Sequence, residues 1–227
     1  VRLAALFSGG KDSTYAVYRA EAGGHVVEML LTFLPQSIDS YLFHYPNLHL
    51  TPLQAEAMGK HHIIYPIAGM DEEEVLNRAL SEVAGRVDGI VAGALASSYQ
   101  RERMKHAAEK HGLTVLTPLW GQKPGELLRQ MLRDGFEIMV VAVAAAGLDR
   151  NWLGRMLDEE AVEELEALAE RYGINPGGEG GEMETMVLDC PLFHKKIRPL
   201  GWRMVWRGVY GFLRIERAVL VDKSVHE

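Results

Sequence analysis

The sequence predicts an α/β fold: a parallel sheet with helices on both faces, followed by a smaller α+β domain. Three observations carry the prediction. Short apolar runs alternate with helix-patterned segments through the first half of the chain, Gly and Pro fall at the joints, and after Trp120 the alternation gives way to strands in succession. A boundary is expected near residues 120–125, dividing the chain into residues 1–122 and residues 123–227.

The elements follow in order. Residues 3–7, LAALF, form a short apolar run ended by Ser8-Gly9-Gly10, the mark of a buried strand. Residues 12–22 read as a helix stopped by Gly23-Gly24. Residues 25–33 are a second apolar strand. Thr51-Pro52-Leu53-Gln54 has the form of a capping box, with Thr as N-cap, Pro next and Gln at the third helical position, and the helix it opens ends at Gly59. Residues 62–67 give a third strand. Asp71-Glu72-Glu73-Glu74 puts acids in the first turn of the next helix, where the dipole favours them. A strand at 88–93, a helix at 100–111 and a strand at 114–116 complete the alternating part. Beyond it come a helix at 125–133, an apolar strand at 137–146, an acidic helix at 158–172, and strands at 186–188, 204–206 and 212–221.

Composition limits the functions. A chain of 227 residues that is 48% hydrophobic is large enough for a substantial core. A formal net charge of −7 argues against general nucleic-acid binding. The single cysteine, Cys190, excludes an intramolecular disulfide and any CxxC redox or zinc motif. No apolar run reaches the ~18 residues of a membrane span, and the N-terminus shows no basic-then-apolar signal segment. The expectation is a cytoplasmic protein with no membrane association and no stable nucleic-acid partner; a homodimer is compatible with the sequence.

Ligands of a parallel α/β sheet sit at the carboxyl ends of its strands. The first such end is Ser8-Gly9-Gly10-Lys11-Asp12-Ser13, between a strand and a helix. Free backbone N–H groups and the positive end of the helix dipole suit an anion there. The glycines allow close approach, Ser8 and Ser13 offer hydroxyls, and Lys11 adds a point charge. Asp12 suits a phosphate site only with Mg²⁺ bridging it to the phosphates. The loop is neither GxxxxGK[ST] nor GxGxxG. Near the other end stands NPGGEGGEMET, residues 175–185, with four glycines in five positions and three glutamates but no Lys or Arg. A phosphate would be repelled there.

SGGKDS after a first buried strand resembles the PP-loop of the N-type ATP pyrophosphatases, which cleave ATP between its α- and β-phosphates. Three further stretches narrow the likeness: Gly93 to Arg103 (GALASSYQRER), Thr117-Pro118-Leu119-Trp120, and Gly178 to Phe193 (GEGGEMETMVLDCPLF). In that order they resemble the diphthine–ammonia ligase family in its short archaeal form, whose pattern runs SxYQxxR, PLW and GEGGEFETxVxDxPLF. Residues 147–154, Phe43-His44 and Asn47-Leu48 add to the likeness. It spans about residues 3–197, and residues 198–227 carry none of its motifs. Met183 stands where the family usually has Phe, and residues 121–124 lack the acid that commonly follows PLW.

The resemblance implies an adenine nucleotide alpha hydrolase-like (HUP, Rossmann-like) fold. It also implies a reaction: ATP-dependent amidation of diphthine, a modified histidine of elongation factor 2, with ammonium as nitrogen donor and AMP and pyrophosphate released. It assigns ATP to Ser8, Gly9, Gly10, Lys11, Asp12 and Ser13, with Leu31 and Thr32 expected at the adenine and Gly93 near ribose or phosphate. Asp12 is the expected Mg²⁺ ligand. Lys11, Asp12, Glu182 and Glu184 are the expected catalytic groups. Phe43, His44, Tyr99, Gln100, Arg101, Arg103, Glu179, Gly180, Gly181, Glu182, Glu184 and Thr185 are expected at the substrate. Trp120, Trp202 and Trp206 read either as core or as a cation-facing set, and Gly93 equally as a packing glycine. A tRNA-thiolating enzyme would share SGGKDS but needs catalytic cysteines and a basic surface. A nucleotide-sensing module would have no need for the three carboxylates.

Overall fold

Every strand run before residue 117 is too short and too apolar to fold alone, and each finds its partners side by side. The computed structural model describes residues 1–35, 45–93 and 97–223. Strands β1 (Arg2–Leu6), β2 (Val26–Leu34), β3 (His61–Pro66), β4 (Gly89–Val91) and β5 (Thr114–Leu116) form one parallel sheet in the order β3-β2-β1-β4-β5. That order reverses direction at β1, the arrangement of a Rossmann-like core.

Alternate side chains of β1 go to opposite faces. Leu3, Ala5 and Phe7 pack with helix α1 (Lys11–Ala22) and helix α2 (Thr51–Met58). Ala4 packs on the other face with helix α3 (Glu72–Val83) and helix α4 (Ser98–Glu109). Helices thus cover both faces, as the alternating pattern requires.

The second half is a four-stranded antiparallel sheet with helix α5 (Pro124–Arg133) and helix α6 (Glu159–Tyr172). Its strands are β6 (Glu137–Val143), β7 (Met183–Asp189), β8 (Lys196–Trp206) and β9 (Gly211–Val221), in the order β7-β6-β9-β8. The two sheets share a core. Phe7, Tyr15 and Val17 from the first half lie in one buried cluster with Leu128, Ile138, Val140 and Met186 from the second. Each such side chain contributes about 1.5–3 kcal/mol when fully buried, so the halves stabilise each other.

Two local expectations are corrected. The strand expected at 204–206 begins at Lys196, because β9 pairs with it along its whole length; the irregular register at Pro199 and Gly201 hides the strand from the sequence pattern. The capping box at Thr51 is not formed. A 3-10 turn, Leu48–Leu50, runs straight into α2, and Thr51 donates both its N–H and its hydroxyl to Leu48 O. Gln54 is consequently free of any cap and is 1% exposed, turned toward the site.

The segment leading into that turn is tied to β9. Asn47 donates from Nδ2 to Leu213 O at 3.0 Å and accepts from Ile215 N at 2.8 Å, and His49 Nε2 meets Ile215 O at 2.6 Å. β9 pairs with β6 only at Phe212 and Gly211, so these side chains satisfy backbone that no strand covers there. Asn47→Ala strips the buried Ile215 N–H of its acceptor and should cost about 2–3 kcal/mol. Urea unfolding checks this; a change below about half a kcal/mol would mean that water replaces the side chain.

Candidate active site

The end of β1 is held firmly before the chain turns. Phe7 donates its N–H to Leu31 O, and its carbonyl accepts from Thr32 Oγ1 at 2.7 Å. Thr32 Oγ1 also meets His62 Nε2 at 2.8 Å. Burial lowers the pKa of His62, with a smaller contribution from His61, which keeps the ring neutral in this network. The Ser8–Ser13 loop therefore leaves a fixed point. Within it, Ser13 Oγ accepts from Ser8 N and lies 3.2 Å from Ser8 Oγ.

The glycines of this loop face protein. Gly9 has φ +81°, and a Cβ there would run into the Gln54 amide. A Cβ on Gly10 would meet Thr185 O at 3.2 Å. Gly93 lies against the first turn of α1, where a Cβ would stand 2.7–2.8 Å from the Asp12 carbonyl and Ser13 N. These glycines let Gln54, β7 and the end of β4 close around the turn.

NPGGEGGEMET lies against the first loop. It runs into β7, and β7 is docked on the Ser8–Ser13 loop. Val187 donates its N–H to Gly9 O at 3.0 Å. Lys11 N, the first orphan N–H of α1, donates to Thr185 Oγ1 at 3.0 Å, so a residue from the far end of the chain supplies the missing cap. Lys11 itself is 3% exposed; its Nζ donates to Gly177 O at 2.6 Å and to Asp12 Oδ2 at 2.8 Å. Two of its three donors are engaged, and the third is uncommitted among the described residues.

The glutamates divide. Glu182 accepts from Gly180 N at 2.7 Å and from Asn175 N at 3.3 Å, so its carboxylate holds the loop together. Gly181 donates its N–H to Gly178 O and has φ +87°, a turn position. Glu184 is half-buried, and its carboxylate has no hydrogen-bond partner among the described residues. Desolvation raises its pKa to about 7, against the opposing pull of Lys11 and with help from Asp12 and Glu182. Glu179 is raised too, first by burial and then by Asp12.

The remaining expected residues scatter. Leu31 and Thr32 are wholly buried and spent on the sheet. Phe33, next along β2, stacks on Tyr65 and opens onto a cleft of about 380 Å³. That cleft lies at the carboxyl ends of β1 to β3, with Leu6, Ile67 and Met104 among its apolar walls and Gln100 and Arg103 among its polar ones. Its size suits a small-molecule ligand. Arg103 pairs with Glu73 at 2.9 Å, Arg101 lies over the Trp120 ring at 4.8 Å, and Tyr99 is 69% exposed. Phe43 and His44 lie outside the described residues. Cys190 is 1% exposed with its pKa pushed up to about 12 by burial, so the thiol a thiolating enzyme needs is withheld. Gln54 was missed because its Thr-Pro-Leu-Gln context reads as a cap.

Among the described residues no helix is long and apolar enough to cross a membrane. Residues 1–115 match the family model described as the diphthamide synthase N-terminal domain, and residues 123–221 that of the C-terminal domain. The chain is 37% identical over 220 residues to the diphthine–ammonia ligase of Homo sapiens, covering 87% of this chain and 82% of the relative. To that of Danio rerio it is 36% identical over 220 residues, covering 87% and 86%. The relative of the same name in Saccharomyces cerevisiae is 30% identical over 230 residues, covering 85% of this chain and 33% of the relative.

The Glu184 carboxyl gives a pH signature. Its folded pKa of about 7 lies above its ordinary 4.5, so across that window the folded protein keeps a proton the unfolded chain has released. Stability falls as pH rises through the window. Glu184→Gln removes the fall, and above pH 7 the variant should gain roughly 1–2 kcal/mol over wild type after allowance for solvent screening. Parallel stability–pH curves for the two proteins would show that the carboxyl is not perturbed.

Proposed function

The chain belongs to the diphthamide synthase (diphthine–ammonia ligase) family, and on that membership we propose that it amidates diphthine on elongation factor 2 to diphthamide at the expense of ATP. The observation that carries the reading is the docking of β7 onto the Ser8–Ser13 loop, which sets Lys11 and Glu184 around one site. A carboxylate acylates poorly, so it must first be activated. Its oxygen attacks the α-phosphorus of ATP and displaces pyrophosphate, leaving an acyl-adenylate. Ammonia then attacks the acyl carbon, the C–N bond forms, and the C–O bond to AMP breaks.

The chain's residues fit these steps. The cleft beside Phe33 accommodates adenosine, and its phosphates run to the Ser8–Ser13 loop and the N-terminus of α1. The uncommitted donor of Lys11 stabilises charge on the leaving pyrophosphate. Among the described residues no three His, Cys, Asp or Glu side chains converge on a metal. A lone Asp12 carboxylate fits Mg²⁺ in the mode where the nucleotide's phosphates complete the shell, and when bound the ion would neutralise phosphate charge. Glu184 is poised near neutrality to take the first of ammonium's two surplus protons; the second leaves after attack. Glu179, with Asp12 nearby, offers negative charge to the trimethylammonium group of diphthine.

Incubation with ATP, Mg²⁺, ammonium and diphthine-bearing elongation factor 2 should yield AMP, pyrophosphate and a product lighter by the difference between OH and NH₂. ADP in place of AMP would sink the reading. Lys11→Ala should lower AMP release at least about 100-fold while circular dichroism stays native. Glu184→Gln should impair amidation far more than ATP–pyrophosphate exchange; equal loss of both would remove it as the base.

A further inference from the structure

A second, much smaller cavity lies against the Ser8–Ser13 loop. Its volume is about 20 Å³, and Ser8, Gly9, Gln54, Val141, Glu184 and Met186 are among its walls. That is room for one molecule of the size of water. Gln54 is the unusual member. Its Nε2 donates to Gly9 O at 2.9 Å and to Val187 O at 3.0 Å. Two carbonyl acceptors fix the amide's orientation, because exchanging oxygen and nitrogen would set oxygen against oxygen. Its Oε1 is left as a buried acceptor without a partner among the described residues. A native protein rarely leaves such an atom unpaired, since the lost hydrogen bond costs about 1–3 kcal/mol.

The Glu184 carboxylate is a second acceptor on this wall; Tyr45, Asn47 and Thr185 also line the cavity, Asn47 being committed to β9 and Thr185 Oγ1 accepting from Lys11 N. Ser8 Oγ is engaged with Ser13 Oγ and lies 3.5 Å from Gly10 N. An unpaired buried amide oxygen beside a carboxylate favours a small cation rich in donors. Ammonium is the size of water, carries four N–H donors and brings the balancing charge.

We propose that this cavity is the ammonium niche of the amidation reaction, with one N–H given to Gln54 Oε1 and another to the Glu184 carboxylate. The proposal rests on the functional reading above. Ser8 and Gly9 belong both to the niche and to the phosphate loop, so nitrogen held here is next to where the acyl-adenylate forms. Val141 and Met186 are buried apolar walls that leave no room for a methyl group on the nitrogen.

Two variants test it. Gln54→Met keeps the length of the side chain but removes the acceptor together with the Nε2 donors to Gly9 O and Val187 O. It should raise the KM for ammonium about tenfold or more, well beyond any change in the KM for ATP or in ATP–pyrophosphate exchange with diphthine-bearing elongation factor 2, which reports on the loop. An unchanged ammonium KM, or a loss of exchange in step with ammonium use, overturns the niche. Val141→Ala widens the cavity by a route that does not touch Gln54. It should accept methylamine and form the N-methyl amide, which wild type should not. Equal use of methylamine by both proteins, or by neither, overturns the size argument. Failure of wild type to support exchange at all would instead strike the adenylation reading, leaving the two failures distinguishable.

Discussion

A lysine buried to 3% exposure must be paired, and the way Lys11 is paired organises this protein. Its ammonium group lies between Asp12, its neighbour, and the carbonyl of Gly177, from the opposite end of the chain. Thr185 caps the helix that Lys11 begins, and Val187 bonds the loop before it. These contacts join the parallel sheet to the antiparallel one at the point where both offer chemistry. Neither sheet makes the site alone. The first has a phosphate-type turn whose glycines are filled by protein, and the second has a carboxylate-bearing strand with nothing to act on.

Electrostatics follow from that junction. One buried cation stands among Asp12, Glu179, Glu182 and Glu184, so the cluster carries an excess of negative charge. The structure manages it unevenly. Glu182 is spent on two backbone N–H groups that donate to its carboxylate. Glu184 has no such bonds and is pushed up to about 7. The two glutamates are two residues apart on one chain, yet one is bonded into the loop and the other is not. Reactants that are cations relieve the excess, and both the quaternary ammonium of the substrate and the nitrogen donor are cations.

What could be read from the sequence was what is local. The glycines, Lys11 and the start of the helix stand within six residues at Ser8–Ser13, just past a strand, and spacing alone places them. The acidic glycine-rich stretch was legible as a motif, and its unfitness for a phosphate was legible from charge. Its docking on the first loop was not, because that depends on β7 pairing with β6 and on Gly10 leaving room for Thr185. Glu182 was expected at the substrate on residue type, whereas its oxygens are turned to the loop by two N–H groups that only the folded turn brings together. Leu31 and Thr32 were placed at the adenine by analogy with strand ends, but the sheet's own hydrogen bonds claim them, and Phe33 one residue later faces the cleft. Gln54 was hidden by a capping pattern that the 3-10 turn before it makes unnecessary.

The composition of the NPGGEGGEMET stretch now has a physical reason. Gly178 has φ +75°, and a Cβ there would stand 2.7 Å from Met183 O, so the chain can fold back tightly into β7 only with glycine at this point. That tight return is what aims Gly177 O at Lys11. Asp12 already pairs with the ammonium, so a second carboxylate in the place of Gly177 O would add another negative charge; a carbonyl holds the group in position without one. The loop thus keeps its glutamates off the lysine and offers it backbone instead. The glycines serve the lysine, and among the described residues the glutamates form no ion pair with it.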